Sequence, residues 1–395
     1  MEYRECCGHK LSALGFGTMR LPLISGGDSS QIDRKQVDLM VDYAIKNGVN
    51  YFDTAFPYHA GMSERVIGES LKRYPRDSYY LATKYPGHQI SEKYEPERIF
   101  EAQLKKCGVE YFDFYLLHNV YENSICVYTS PEWGIIDYFI EQKKAGRIKH
   151  LGFSSHGGPE LLRTFLGLYG DVMEFCQLQL NYLDWTLQDA RTKYQIVTEH
   201  NIPVFVMEPL RGGRLAVLDE GAEKTLKGFR PDTGVAAWAF LWLLKLPNVK
   251  MILSGMSDIA QMMDNVNTFT NEKPLSDEEK AALDKIAAAM HTGIPCTACR
   301  YCCDGCPMKL DIPLLISLCN EIRFAPAMNT AMRLDAMEPD KLPSACIQCG
   351  RCVKVCPQGI KIPEIMRELD ASVAKIPKWA DICKQREEEA KRNSV

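Results

Sequence analysis

A chain of 395 residues, 46% hydrophobic and 25% charged, has ordinary globular composition, and its length favours one large domain with a smaller companion. A formal net charge of -4, with no long basic run and no interleaving of basic and aromatic residues, argues against nucleic acid as a partner. Residues 1–5 lack the apolar stretch of a secretory signal, and the most apolar run, 235–244, is far short of the ~20 residues that span a bilayer. The expectation is therefore a cytoplasmic protein with no membrane partner, whose 16 cysteines serve metal or redox chemistry rather than disulfides.

Taken in chain order, the first 290 residues alternate short apolar runs with amphipathic helical stretches. The patterns predict strands at 14–17, 50–53, 79–84, 112–118, 149–154, 175–180, 203–208 and 250–254. Helices are predicted at 34–47, 63–73, 97–107, 132–145, 159–168, 187–199, 234–244 and 258–266. Eight strand–helix units fit an α/β fold of the (β/α)8 TIM-barrel type, with an open doubly wound sheet as the alternative. No Gly-x-Gly-x-x-Gly follows an early strand, and the candidate reactive residues lie at the ends of several different strands. Both facts favour the barrel. Residues 3–12 read as a hairpin closing its bottom, and 119–131 and 210–232 as long loops.

Beyond Pro274, Ser276 and Glu279 form a capping box at the start of a helix over 277–290. A second helical stretch covers 310–334, interrupted at Pro326. The division is a barrel at 1–275, a cysteine-rich domain at 276–383 and a charged tail at 384–395, the last a solvated helix or disorder without a function.

Four barrel residues form a reactive set. Asp53 ends the second strand, with Tyr58 in the loop after it; Lys84 ends the third and His118 the fourth. A phenol with an ordinary pKa near 10 is a poor proton donor at neutral pH. An adjacent ammonium lowers that value, and a carboxylate holds the ammonium in place. Tyr58 would then protonate a carbonyl oxygen as hydride reaches the carbon, Lys84 tuning it, Asp53 orienting Lys84 and His118 donating to the substrate oxygen. Singly, each has a plain structural explanation as a helix cap, a solvated strand end or a core histidine; the four together favour catalysis.

Cys296-x2-Cys299-x2-Cys302-x3-Cys306-Pro307 is repeated as Cys346-x2-Cys349-x2-Cys352-x3-Cys356-Pro357. Thiolates at every third residue of a turning backbone can face one iron–sulfur cube, while the fourth cysteine, redirected by proline, ligates the other cluster. Cys296, Cys299, Cys302 and Cys356 are thus expected to hold one [4Fe–4S] cluster, and Cys346, Cys349, Cys352 and Cys306 a second. Structural zinc is the alternative, but it does not require eight cysteines with two Cys-Pro ends. Cys303 offers a different partner for Cys306, but only Cys302 preserves the repeat. The 39 residues between Cys306 and Cys346 look helical, so the segment resembles the α-helical two-cluster ferredoxins.

Leu14-Gly15-Phe16-Gly17-Thr18-Met19, Asp53-Thr54-Ala55-x-x-Tyr58, Leu116-Leu117-His118, Gly152-Phe153-Ser154 and Glu208-Pro209-Leu210 resemble the motifs of the aldo-keto reductases over about residues 3–267. The whole chain is similar to the branch in which a two-cluster ferredoxin domain follows the barrel. The resemblance implies an oxidoreductase acting on a small carbonyl or alcohol, with the Asp53–Tyr58–Lys84–His118 tetrad at its centre. It also implies an extended nicotinamide cofactor near Thr18 and Met19. The carboxamide would be held by Ser154, Ser155 and Gln177, the ring would lie against Met207 beside Glu208, and the pyrophosphate near Leu210 and Gly212. The adenosine end would lie at Gly255, Gln261 and Asn265. Ser155 and Met207 replace the family's usual asparagine and tyrosine. Gly255 and Gln261 stand where basic residues often meet a 2′-phosphate, which leaves NADPH and NADH equally open. No flavin signature is present. The clusters could dock a redox partner protein or serve structurally, work through a flavin, or feed single electrons to the barrel. The alternative to an enzyme is an electron-transfer subunit whose barrel is a scaffold.

Overall fold

The structure, a computed structural model, describes residues 1–290, 293–324 and 328–392. Two short strands, β1 (Tyr3–Cys6) and β2 (His9–Ser12), form an antiparallel hairpin with Tyr3 opposite Ser12. Eight parallel strands follow: β3 (Leu14–Gly17), β4 (Tyr51–Asp53), β5 (Tyr80–Tyr85), β6 (Phe112–Leu117), β7 (Ile148–Ser155), β8 (Cys176–Gln179), β9 (Val204–Met207) and β10 (Val249–Gly255). They close in sequence order, with β10 pairing back to β3. The barrel is the expected fold, and the predicted strands lie within a residue or two of the observed ones.

Each strand is apolar because each is covered on both faces: all six residues of β6 are buried. Inside the barrel, rings from alternate strands interlock, Tyr51, Phe114 and Phe205 meeting edge to face at 5.2–5.5 Å. Cys6 and Leu11 of the hairpin pack into that inner cluster, so the hairpin does close the bottom. Gly152 in β7 is forced by packing, since a Cβ there would stand 2.5 Å from the Phe175 carbonyl oxygen.

The expected loops contain helices. Ser124–Tyr128 lies in one, and Glu220–Phe229 lies in another behind an Asp219 cap that accepts from the Ala222 N–H. The first, five residues long, is too short to show an apolar stripe, and the second buries only Ala222 and Leu226 among its ten residues.

The boundary expected at 275 falls later in the packing. Ser276 and Glu279 form the predicted reciprocal cap, and the helix runs Asp277–Met290. Its Leu283, Ile286 and Ala287 join the barrel core, and Glu279 holds Arg230 at 2.6 Å. The cysteine-rich part has its own small core beginning at Ile294 and including Leu315, Ile316, Ile362 and Leu369. Helices Ile312–Phe324 and Met328–Asp335 occupy the stretch expected to be helical; the interruption expected at Pro326 lies outside the described residues. The tail expected at 384–395 as a solvated helix or disorder is, as far as residue 392, the end of a helix, Trp379–Arg392, which is not wholly solvated but returns to the barrel mouth; 393–395 lie outside the described residues. Trp379 and Cys383, each 3% exposed, anchor it beside Tyr121 and Met332. Two apolar anchors among many charges leave no amphipathic signal to read.

Candidate active site

The four reactive side chains meet at the C-terminal end of the barrel. Asp53 and Lys84 are buried at 3% and 1% exposure, while Tyr58 and His118 are half-buried and face the mouth. Lys84 Nζ donates to Asp53 Oδ1 at 2.5 Å and to the Thr54 carbonyl at 2.8 Å, and reaches the Tyr58 hydroxyl at 3.5 Å. The His118 ring stands edge-on to Tyr58, 5.8 Å between centroids.

The surrounding chain fixes these positions. Tyr58 begins a tight turn, Tyr58–Gly61, in which His59 and Ala60 take left-handed backbone angles. The His59 ring braces the turn, one nitrogen 2.9 Å from the Ser29 carbonyl and the other accepting the Leu21 N–H at 3.1 Å. Tyr128 donates its hydroxyl to the His118 carbonyl at 2.7 Å.

Burial pushes the Tyr58 phenol above its ordinary value, and the opposing pull of Lys84 does not overcome it. This corrects the expectation of a lowered phenol: the ammonium is 2.5 Å from Asp53, which already compensates most of its charge. Burial also works against the ammonium, but Asp53 and Tyr58 outweigh it and hold Lys84 above its usual value; burial likewise raises the Asp53 carboxyl, against the pull of Lys84 and Gln177. His118 is neutral, held far below its ordinary value first by burial and then by His88, Lys84, His156 and Arg386.

The residues proposed to hold a nicotinamide cofactor divide into two groups. Ser154 and Gln177 lie in β7 and β8, and Met207 and Glu208 at the end of β9 and just beyond it, with Gln177 Nε2 3.4 Å from Asp53 Oδ2. Ser154 accepts the Asn119 N–H, which leaves its own hydrogen free to donate. Others are already engaged. Thr18 donates to the Asp53 carbonyl at 2.9 Å, and Ser155 donates to the Val120 carbonyl and accepts from Gly157. Gln261 caps its own helix start through Ser257 and Asp258, and Asn265 donates to Ser254. These four brace the site rather than offer free donors. Met19 is exposed, while Leu210, Gly212 and Gly255 line the rim.

Sequence reasoning missed a cation here. Arg20 lies between the two rim glycines: a Cβ on Gly212 would meet its Nη2 at 3.2 Å, and one on Gly255 its Cβ at 3.3 Å. It follows Met19 directly, and only the folded rim brings it opposite those glycines.

The roof was missed as well, and it comes from the cysteine-rich half. Asn329 places its amide nitrogen 2.9 Å from His156 Nδ1 and 3.3 Å from Glu208 Oε1. Trp379 donates its indole N–H to the His88 carbonyl at 3.3 Å and stacks on the His88 ring, which rests 4.2 Å from His118. Glu321, 1% exposed, receives Gln188, Thr330 and Arg333, and Arg211 lies over the Phe324 ring at 4.6 Å. Burial drives His88 and His156 down to about 3 and raises Glu208 to about 7.

The cysteines gather in the crossed sets. Cys306, Cys346, Cys349 and Cys352 line one pocket, and Cys296, Cys299, Cys302 and Cys356 line another. Cys303 lines neither. The two loops share one backbone course: Ala298 and Gln348, Arg300 and Gly350, and Lys309 and Gly359 all have positive φ. Apolar walls lined by four cysteines suit an iron–sulfur cube, although no three Cys, His, Asp or Glu side chains among the described residues are grouped as they would be around a single metal ion.

A closed eight-stranded barrel with this tetrad at its mouth and a cysteine-rich cap defines an oxidoreductase class. The chain belongs to the aldo/keto reductase family, whose model matches residues 13–288, and a 4Fe-4S dicluster domain matches residues 295–360. It is 27% identical to probable aldo-keto reductase 1 of Glycine max over 52% of this chain and 58% of that protein. It is 24% identical to the NADH-specific methylglyoxal reductase of Escherichia coli, over 71% of this chain and 96% of that protein. Among solved structures, an aldo-keto reductase from Klebsiella pneumoniae in complex with NADPH shares the fold at a TM-score of 0.57 and 20% identity, over 73% of this chain and 96% of that one. No helix among the described residues is long and apolar enough to cross a membrane.

Proposed function

We propose that the protein interconverts a small carbonyl compound and its alcohol at the barrel mouth, with Tyr58 as proton donor and acceptor, and carries two [4Fe–4S] clusters in the domain that roofs the site. The observation behind the first part is Lys84 Nζ, bonded to Asp53 while touching the Tyr58 hydroxyl beside His118. A nicotinamide would supply the hydride. The residues that fit it are Ser154 and Gln177 near the carboxamide, Met207 and Glu208 near the ring, and Leu210, Gly212, Gly255 and Arg20 along the rim. Arg20 supplies the positive charge that Gly255 and Gln261 lack, and a phosphate of the cofactor is its natural partner. The printed specificity of the Escherichia coli relative for NADH and the NADPH in the Klebsiella structure leave both nicotinamides as candidates.

His118, neutral, donates a hydrogen bond to the substrate oxygen, and Tyr58 delivers the proton as charge develops there. Lys84 makes its largest contribution at that moment, because it stabilises the phenolate left behind. The raised phenol supports a donor that keeps its proton until the oxygen becomes basic. Asp53 keeps Lys84 aligned, and Thr18 keeps the Asp53 backbone in place.

For the clusters, the supporting observation is the pair of crossed four-cysteine cavities. Such clusters carry single electrons, and Asn329 and Trp379 of the same domain enclose the catalytic mouth. The arrangement supports a cytoplasmic enzyme with a redox partner protein rather than a scaffold, since a scaffold has no use for a buried Lys84 against Tyr58.

Anaerobically prepared protein is expected to contain iron and acid-labile sulfide and to oxidise NADH or NADPH with methylglyoxal as a probe. Tyr58→Phe should lower kcat by about 10²–10⁴ while the cluster absorbance stays unchanged. Turnover retained in that variant would remove Tyr58 as the acid, and material without iron would end the cluster reading.

A further inference from the structure

The C-terminal helix brings a cation to the mouth that the tetrad does not use. Trp379, Cys383 and Arg386 fall at i, i+4 and i+7, which is one face of a helix. That face packs on the barrel, since Trp379 and Cys383 are buried and the helix touches the Tyr58–Gly61 turn. The Arg386 guanidinium lies over the Trp379 ring at 5.1 Å. From there an unbroken line of rings runs Trp379 to His88 at 5.8 Å, His88 to His118 at 4.2 Å and His118 to Tyr58 at 5.8 Å.

Arg386 is half-buried. Glu389, one turn further along the helix, is hydrogen-bonded to Gln385 at 3.0 Å and also attracts Arg386. Glu387 and Glu388 are exposed. Three other cations at the mouth face carboxylates: Lys84 meets Asp53, Arg333 meets Glu321, and Arg211 meets Asp184 through Nε while its two terminal nitrogens have no hydrogen-bond partner among the described residues. His88, His118 and His156 are neutral. The wall above Tyr58 therefore carries a positive charge besides that of Arg20 at the rim, partly stripped of water, with Cys383, Tyr58 and Glu389 as the acidic groups around it. Arginine keeps its proton in such a place and offers a planar fork of donors.

We propose that Arg386 is a specificity-determining residue that binds an acid group, a carboxylate or a phosphate, at the far end of an anionic carbonyl substrate whose reacting oxygen meets Tyr58 and His118. The proposal rests on the reductase reading for the carbonyl end only. A substrate of this kind would bridge the two halves of the chain, its carbonyl in the barrel and its acid group under the C-terminal helix. Trp379 holds the guanidinium flat, so the fork is aligned before the substrate arrives.

The test uses the full-length, cluster-loaded protein and Arg386→Gln. Turnover is compared for 4-oxobutanoate against butanal, and for glyceraldehyde 3-phosphate against glyceraldehyde. Binding of the unreactive succinate and of inorganic phosphate is measured by calorimetry. The preference for one anionic aldehyde over its neutral partner is expected to fall about ten- to a hundredfold in the variant, the loss of one charge-assisted hydrogen-bonded contact, with a parallel loss of succinate or phosphate binding. Which arm moves separates carboxylate from phosphate. If neither aldehyde pair turns over but succinate or phosphate binding still depends on Arg386, the reductase reading fails and the anion site stands. If the preference and both affinities are unmoved in Arg386→Gln, with its cluster absorbance intact, Arg386 does not read an acid group.

Discussion

The barrel and the cysteine-rich cap hold themselves together by different means. The barrel rests on one continuous apolar core from Ala13 to Ala287, built from strands buried on both faces and helices buried along one stripe. The cap has a smaller aliphatic core with cysteines packed at its edge, Cys299 and Cys349 remaining exposed, and helices so short that Tyr301–Asp304 and Arg351–Lys354 span four residues each. A core of that size rarely stabilises a domain alone, and inorganic clusters are a common substitute. The difference teaches where each half is vulnerable: the barrel to cavities, the cap to loss of its ligands and of its grip on the barrel.

The largest expected break in that comparison is Cys349→Ala. It should remove about half of the iron and sulfide and melt the cap's second half, while the barrel's own unfolding transition stays in place. Iron analysis and differential scanning calorimetry together check it. A single shared transition shifted downward would mean the two halves fold as one unit.

Acid should loosen the grip next. His88 and His156 are held near 3 in the folded protein against an ordinary 6.5, so the native state binds fewer protons than the unfolded one. Their neutral burial therefore stabilises the protein above pH 6.5, and that contribution is lost as the pH falls from 6.5 towards 3. Glu208 works the other way: raised from 4.5 to about 7, it favours the folded state below 4.5 and stops doing so as the pH climbs through 7. Two histidines outweigh one glutamate, so the interface should weaken by a few kcal/mol between pH 6.5 and 4.5. His88 faces His118, His156 and Arg386, and His156 faces Lys193 and Arg333, so cations and histidines dominate the surroundings of both, while the Glu208 carboxyl reaches His156 only across the Asn329 amide. Hydrogen exchange across helix Met328–Asp335 against pH would show the loosening; protection unchanged at pH 5 would refute it.

The legibility of the two halves follows from the same contrast. The barrel's eight strands were readable because burial on both faces makes each an apolar run, and the tetrad because barrel enzymes place reactive groups at strand ends. The iron–sulfur character of the cysteine-rich part was readable from spacing alone, and residues 295–360 match a 4Fe-4S dicluster domain. The clasp was not. Asn329 and Arg386 look like any solvent-facing polar residue on a helix, and Trp379 is one aromatic in a charged stretch. Their meaning depends on which surface the helix meets, and no periodicity encodes that. Arg20 escaped for the same reason: its partners are Gly212 and Gly255, remote in sequence and without side chains to advertise the contact.

Trp379→Ala isolates the clasp from the clusters. A buried tryptophan truncated to alanine costs about 3–5 kcal/mol, here charged mainly to docking of the C-terminal helix. Limited proteolysis should then cut within 379–392, with iron content unchanged. Resistance equal to the unaltered protein would mean that Cys383 and the Met328–Asp335 helix hold the roof without it.

The smallest effect tests where the barrel ends. Ser276 accepts the Glu279 N–H at 3.2 Å, and the Glu279 side chain accepts the Ser276 N–H at 2.7 Å while also holding Arg230. Ser276→Ala should cost about 1 kcal/mol, the usual value of a lost N-cap. Because Leu283 and Ile286 of that helix lie in the barrel core, the loss should appear in the barrel's unfolding transition and leave the cap's untouched. The same loss appearing in the cap's transition would instead attach helix Asp277–Met290 to the cysteines, despite its packing. The distinction matters mechanically: a helix bonded to the barrel gives the first cysteine loop a fixed point from which to fold, only six positions before Cys296.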